Sequence, residues 1–130
     1  MKTSYRILIV DDEDNVRRML ATAFSLQGHE THCASNGQAA LQHFADTPPD
    51  VVLMDIRMPE MDGYEACRQI RGAGRRDSLT IPIVAMTANA FSEDIELAGK
   101  SGMNAHLAKP VDAEQMISLL KEVLAGEKNG

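Results

Sequence analysis

Five strand-like segments alternate with five helix-like segments along this chain, and no other feature constrains the fold as tightly. Tyr5–Val10 is apolar and β-branched, a strand; Asn15–Leu26 then sets Val16, Met19, Leu20, Ala23 and Phe24 at helical spacing, with Gly28 as a stop. Glu30–Ala34 reads as the second strand, and Gln38–Ala45 as the second helix, ended by Pro48-Pro49. Val51–Met54 and Tyr64–Ile70 form the third pair, with a loop over residues 72–76. Ile83–Met86 and Glu93–Lys100 make the fourth, and Ala105–Ala108 and Asp112–Leu124 the fifth. Residues 127–130 read as a frayed tail.

Such alternation, with strands apolar on both faces, means a parallel sheet between two helical layers. Right-handed crossovers leave few topologies. The expectation is an α/β, doubly wound, five-stranded sheet of flavodoxin-like order 2-1-3-4-5, with its switch point between strands 1 and 3. No Gly-x-Gly-x-x-Gly follows the first strand, which disfavours a dinucleotide fold. At 130 residues, one domain over 1–130 is expected, ordered over about 4–125 with a short flexible tail at 126–130.

A net charge of −6 argues against nucleic-acid or membrane-surface binding. No apolar run is long enough to cross a bilayer and the amino-terminal stretch is too short for a secretory signal, so a cytoplasmic protein is expected. Cys33 and Cys67 lack metal or redox spacing and are expected to be buried, reduced thiols. The four histidines form no ligand pattern.

Ligands of open α/β sheets bind beyond the carboxyl ends of the strands. There this chain places Asp11-Asp12, Asp55, Thr87 and Lys109. Taken singly, each has a plain structural explanation: an acidic helix cap, a turn residue, a solvated lysine. Glu13 and Asp14 are expected to do no more than cap the first helix. Three converging carboxylates, however, need compensating positive charge, and an oxygen-only set suits Mg²⁺. A carboxylate beside such a cation, an ammonium and a hydroxyl can act as a nucleophile toward phosphorus, and Asp55 is the candidate.

The segments "ILIVDDED", "VVLMDIRMPEMDGYE", "IPIVAMTA" and "GMNAHLAKPV" together resemble the response-regulator receiver domains of two-component signalling, over nearly the whole chain. Their wording is similar to receiver modules of hybrid sensor kinases. The resemblance implies that Asp55 is the phosphoacceptor, that Asp12 ligates Mg²⁺ directly and Asp11 mainly through water, and that Asp55 and the Arg57 backbone carbonyl complete the set, with Mn²⁺ as a substitute. It implies that Thr87 contacts the phosphoryl group and moves on activation, that Lys109 pairs with it, and that the Lys109-Pro110 peptide is cis. The implied phosphodonor is a sensor histidine kinase or a histidine phosphotransfer protein, docking near the first helix at residues such as Val16, Arg17 and Met19. A downstream partner would use about Glu93–Lys121.

His106 stands where the family often has Tyr or Phe. It is either a switch residue following Thr87, weakened or made pH-sensitive by its imidazole, or a plain surface residue. Arg57 and Asn89 flank the site, where they could influence hydrolysis. Four other functions fit the residues less well. A phosphoaspartate phosphohydrolase needs an acid where Arg57 stands; a calcium loop from Asp12 is interrupted by Arg17 and Arg18; a flavin site would place its phosphate against acids. A degenerate receiver acting as a binding module is disfavoured, because all five site residues are present.

Overall fold

The computed structural model describes residues 4–88 and 92–129. Its elements are β1 (Arg6–Val10), α1 (Asp14–Leu26), β2 (Glu30–Ala34), α2 (Gly37–Asp46), β3 (Val51–Asp55), α3 (Gly63–Arg71), β4 (Ile83–Thr87), α4 (Ser92–Ser101), β5 (Ala105–Ala108) and α5 (Ala113–Asn129). The five strands are parallel, in the order β2-β1-β3-β4-β5.

Side-chain alternation divides the core cleanly between the two faces. Ile7, Ile9, Val51, Leu53, Val84 and Met86 pack with Leu20 and Phe24 of α1 and Met116 and Leu120 of α5. Leu8, Val10, Val52, Met54, Ile83 and Ala85 face the opposite way, with Phe44 of α2, Cys67 and Ile70 of α3 and Ala98 of α4. This parity matters for the site. Asp11 continues the Ile7–Ile9 series, Asp55 the Val51–Leu53 series, and Lys109 the Ala105–Leu107 series. All three therefore belong to the α1/α5 side of the sheet.

Helix starts follow their caps. The Asn36 carboxamide accepts from the Ala39 amide at 2.8 Å, and the Asp62 carboxylate accepts from the Glu65 amide at 2.9 Å. Asp112 plays the same part for α5, accepting from the Gln115 amide at 3.1 Å. At the other end of α1, Gly28 adopts φ +89°; its amide donates to the Ser25 carbonyl at 3.0 Å and the His29 amide to the Phe24 carbonyl at 3.1 Å, as in a glycine-closed helix.

Three expectations need correction. Cys33 is exposed, while Cys67 is buried. The reason is position: β2 is an edge strand flanked only by β1, so its apolar-looking pattern covers little core. Residues 126–129, expected as tail, continue α5 as helix. β3 also runs one residue further than its apolar stretch, so Asp55 is itself the last strand residue.

Arg71 is a fastening that sequence reading did not single out. Its guanidinium donates to the Gly102 carbonyl at 2.6 Å, the Ile81 carbonyl at 2.7 Å, the Asn104 side chain at 2.9 Å and the Ser78 carbonyl at 3.1 Å. Asn104 in turn accepts from the Ile83 amide at 2.8 Å. Together these bonds tie α3 to the entries of β4 and β5 and fix the strands that carry Thr87 and Lys109.

Candidate functional site

Strand register delivers the acids to one place. Val10 pairs with Met54, so the next residues, Asp11 and Asp55, lie side by side at the carboxyl edge. Asp55 pairs with Met86, which puts Thr87 one step beyond it; Thr87 pairs with Ala108, the residue before Lys109. Asp11, Asp55 and Thr87 are all buried, whereas Asp12 is exposed at the mouth. Asp11, Asp12 and Asp55 each present one oxygen within 4.8 Å of the others.

Lys109 reaches into this cluster. Its Nζ lies 2.9 Å from Asp11 Oδ2, 3.3 Å from Glu13 Oε1 and 3.4 Å from Asp55 Oδ1. The two buried acids are held differently. Asp11 Oδ1 accepts from the Glu13 amide at 2.9 Å, its own amide donates to the Ala34 carbonyl at 3.1 Å, and its carbonyl accepts from Arg17 at 2.6 Å. Asp55 Oδ1 accepts only a long bond from the Arg57 amide, 3.3 Å, beside the Lys109 contact. Its Oδ2 is buried and has no hydrogen-bond donor among the described residues. Asp11 Oδ2 also lacks an aligned hydrogen bond, although it is close to the ammonium.

Electrostatics follow from that geometry. Burial, reinforced by the neighbouring Asp11 carboxylate, raises the Asp55 pKa from 3.8 to about 7, and Lys109 offsets only part of the rise. Burial alone would lower the Lys109 pKa, but Asp11, Asp55 and Glu13 outweigh it and push it up to about 12. The ammonium therefore stays charged, and the cluster still has excess negative charge. A hard divalent cation fits: the donors are all carboxylate oxygens, two of them buried without aligned donors.

The loop after Asp55 is tightly turned. Glu60 has φ +69°, and the Met61 amide donates to the Pro59 carbonyl at 2.8 Å, a γ-turn. The Lys109-Pro110 peptide is cis. Arg57 is exposed, and its amide, not its side chain, touches Asp55. His106 is exposed on β5, an edge strand. Val16 and Arg17 are half-buried and Met19 is exposed, but the Arg17 side chain turns back onto the Asp11 carbonyl. Asn89 lies outside the described residues. Glu13 is the residue the sequence reading undervalued: as N-cap of α1 it makes no side-chain capping bond and points to Lys109 instead.

A doubly wound α/β domain with an acidic switch-point pocket and a lysine just after the fifth strand defines a class of phosphorylation-controlled signalling modules. The chain belongs to the response regulator receiver domain family, whose pattern matches residues 7–121. It is 53% identical over 119 residues to the regulatory protein AtoC of Escherichia coli strain K12, covering 92% of this chain but 25% of that protein. Over 119 residues it is 40% identical to the sensor histidine kinase RcsC of Salmonella typhimurium, covering 92% of this chain and 12% of that protein. The likeness thus extends to both kinds of parent protein, and the chain spans a minor part of each. Among solved structures, the chemotaxis protein CheY4 of Vibrio cholerae superposes with a TM-score of 0.86 at 27% identity, over 91% of this chain and 97% of that one. The receiver domain of a signal transduction histidine kinase from Syntrophus aciditrophicus gives 0.83 at 31% identity, over 94% and 91%. The chain is a receiver domain of the kind found in response regulators and hybrid kinases, a signalling switch. Among the described residues no helix is long and apolar enough to cross a membrane.

Proposed function

We propose that Asp55 accepts a phosphoryl group from a phosphohistidine on a sensor histidine kinase or phosphotransfer protein. The observation that carries this reading is the asymmetry between the two buried acids. Asp11 is engaged at its amide, its carbonyl and Oδ1, and its Oδ2 lies against Lys109; Asp55 Oδ2 has neither donor nor ion pair. Of the two buried acids, Asp55 is the one that, among the described residues, has an oxygen held by neither a hydrogen bond nor an ion pair.

In the reaction, that oxygen attacks phosphorus while the P–N bond breaks and its electron pair leaves on the imidazole. Lys109 stays protonated and pairs with a phosphoryl oxygen, and the Thr87 hydroxyl donates to another. Mg²⁺, held by Asp12, Asp55 and the Arg57 carbonyl and by Asp11 through water, would neutralise charge on the transferring group; Mn²⁺ would serve in its place. The chain so assists its own phosphorylation and dephosphorylation without turning over an external metabolite. The phosphodonor docks beside α1, near Val16 and Met19. Phosphorylation changes the surface formed by α4, β5 and α5, about Glu93–Lys121, which meets a downstream protein in the cytoplasm. Residues 1–130 act as one receiver domain, and His106 on β5 belongs to that surface.

Intact mass after incubation with Mg²⁺ and an acyl phosphate tests the reading. The expected result is a gain of one phosphoryl group that requires Mg²⁺, is released by hydroxylamine and is absent in Asp55→Asn. No gain in the wild type under any cation condition would make the chain a degenerate receiver that works as a protein-binding module.

A further inference from the structure

Glu13 is exposed, sits outside the buried acid pair, and spends its carboxylate on the one ammonium the chemistry needs. The contact spans 96 residues of sequence and brings Oε1 within 3.3 Å of Lys109 Nζ, aligned as a hydrogen bond. The Glu13 side chain is 62% exposed, whereas that of Asp11 is fully buried and that of Asp55 is 4% exposed. An ammonium has three N–H bonds, and three carboxylates surround this one. Before Lys109 can bind a phosphoryl oxygen, one of those partners has to give way. Asp11 and Asp55 cannot return to water without opening the pocket. Glu13 can, because its carboxylate already faces solvent and an exposed ion pair is worth little.

We infer that Glu13 is a placeholder on Lys109: it holds, in the resting protein, the ammonium N–H that a phosphoryl oxygen takes over, and so sets how fast Asp55 is phosphorylated. This rests on the reading of Asp55 as acceptor. Glu13 is a positioning residue, acting through Lys109. No bond to phosphorus involves it, and the exchange is one hydrogen-bond acceptor for another.

Three proteins decide it: wild type, Glu13→Gln and Glu13→Asp, the last keeping the charge but one methylene too short to hold the present contact. Two readouts are taken, the Lys109 15Nζ signal by NMR in chelator and the rate of phosphorylation by acetyl phosphate at saturating Mg²⁺. The placeholder predicts that both variants shift the Nζ signal and speed phosphorylation, by about two- to five-fold, the scale of one exposed ion pair. Mg²⁺ affinity and thermal midpoint, measured alongside, should change little. An Nζ signal identical in all three proteins overturns the inference. So do variants no faster than wild type, and so does a Glu13→Asp protein as slow as wild type beside a fast Glu13→Gln, which would assign the effect to charge at the mouth alone. If the wild type takes no phosphoryl group, the reading of Asp55 fails instead, and the metal-free Nζ signal alone decides whether Glu13 holds Lys109.

Discussion

Asp55→Asn is expected to be more stable than the wild type at pH 8 in chelator, by on the order of 2–4 kcal/mol. The sign follows from the buried carboxyl. Its pKa rises from 3.8 to about 7 in the fold, first through burial and then through Asp11. Below pH 3.8 the folded and unfolded chains both hold the proton, and Asp55 contributes no pH dependence. Between 3.8 and about 7 the unfolded chain releases it while the fold retains it, so stability falls as pH rises. Above about 7 the loss is complete. Asparagine has no charge to bury and should flatten this window. Urea unfolding in chelator from pH 4 to 8 checks it. Added Mg²⁺ should stabilise the wild type at pH 8 far more than the variant, because the cation repays the charge that the variant lacks. Equal stabilities across the window would mean that the Asp55 carboxyl is not strained in the fold. Lys109 contributes nothing to this window, since its raised pKa, about 12, keeps it charged throughout.

The second large effect belongs to Gly63→Ala, with an expected loss of about 3–5 kcal/mol. Gly63 opens α3 directly against the backbone of Asp55, its amide donating to the Ile56 carbonyl at 2.8 Å. A Cβ there would lie 2.3 Å from the Asp55 carbonyl oxygen and 2.8 Å from the Ile56 Cα. Both are backbone atoms of the strand end, so no side chain can swing aside. Either α3 shifts or the end of β3 moves, and the second would also slow phosphorylation. Gly99→Ala is the control: within α4, a Cβ meets nothing within 4 Å, and alanine there should be neutral or stabilising by up to about 1 kcal/mol. Urea midpoints of the two variants give the comparison, and a Gly63→Ala protein within about 0.5 kcal/mol of wild type would contradict the close approach.

Much of this was legible before the structure because two periods carry it. Strand–helix alternation yields the sheet order, and a period of two puts Asp11, Asp55 and Lys109 on one side of it. The missing parts are those that depend on reach rather than periodicity. Glu13 reads as a cap in the sequence, since acids favour helix starts; only the folded structure shows that the long Lys109 side chain, leaving β5 at the same carboxyl edge of the sheet, comes within its grasp. Arg71 reads as an ordinary basic residue at a helix end, and its carbonyl partners come from 7 to 31 residues further on. Cys33 sits in a strand pattern that looks buried, although the expected order 2-1-3-4-5 already makes strand 2 an edge strand; how little of an edge strand the helices cover is not written in its pattern. Arg17 looked available to a partner, yet its guanidinium is spent on the Asp11 carbonyl.

Asp55 does part of a turn residue's work, since its Oδ1 accepts from the Arg57 amide. Its Oδ2 makes the difference, and the most direct test of the whole account is to find where the phosphoryl group goes. Wild-type protein phosphorylated in Mg²⁺ is reduced with borohydride, which converts an aspartyl phosphate to homoserine, then digested and sequenced by mass spectrometry. Homoserine at position 55 alone is the predicted result. Homoserine at position 11 or 12, or a stable phosphate on a hydroxyl or histidine side chain elsewhere, would contradict it.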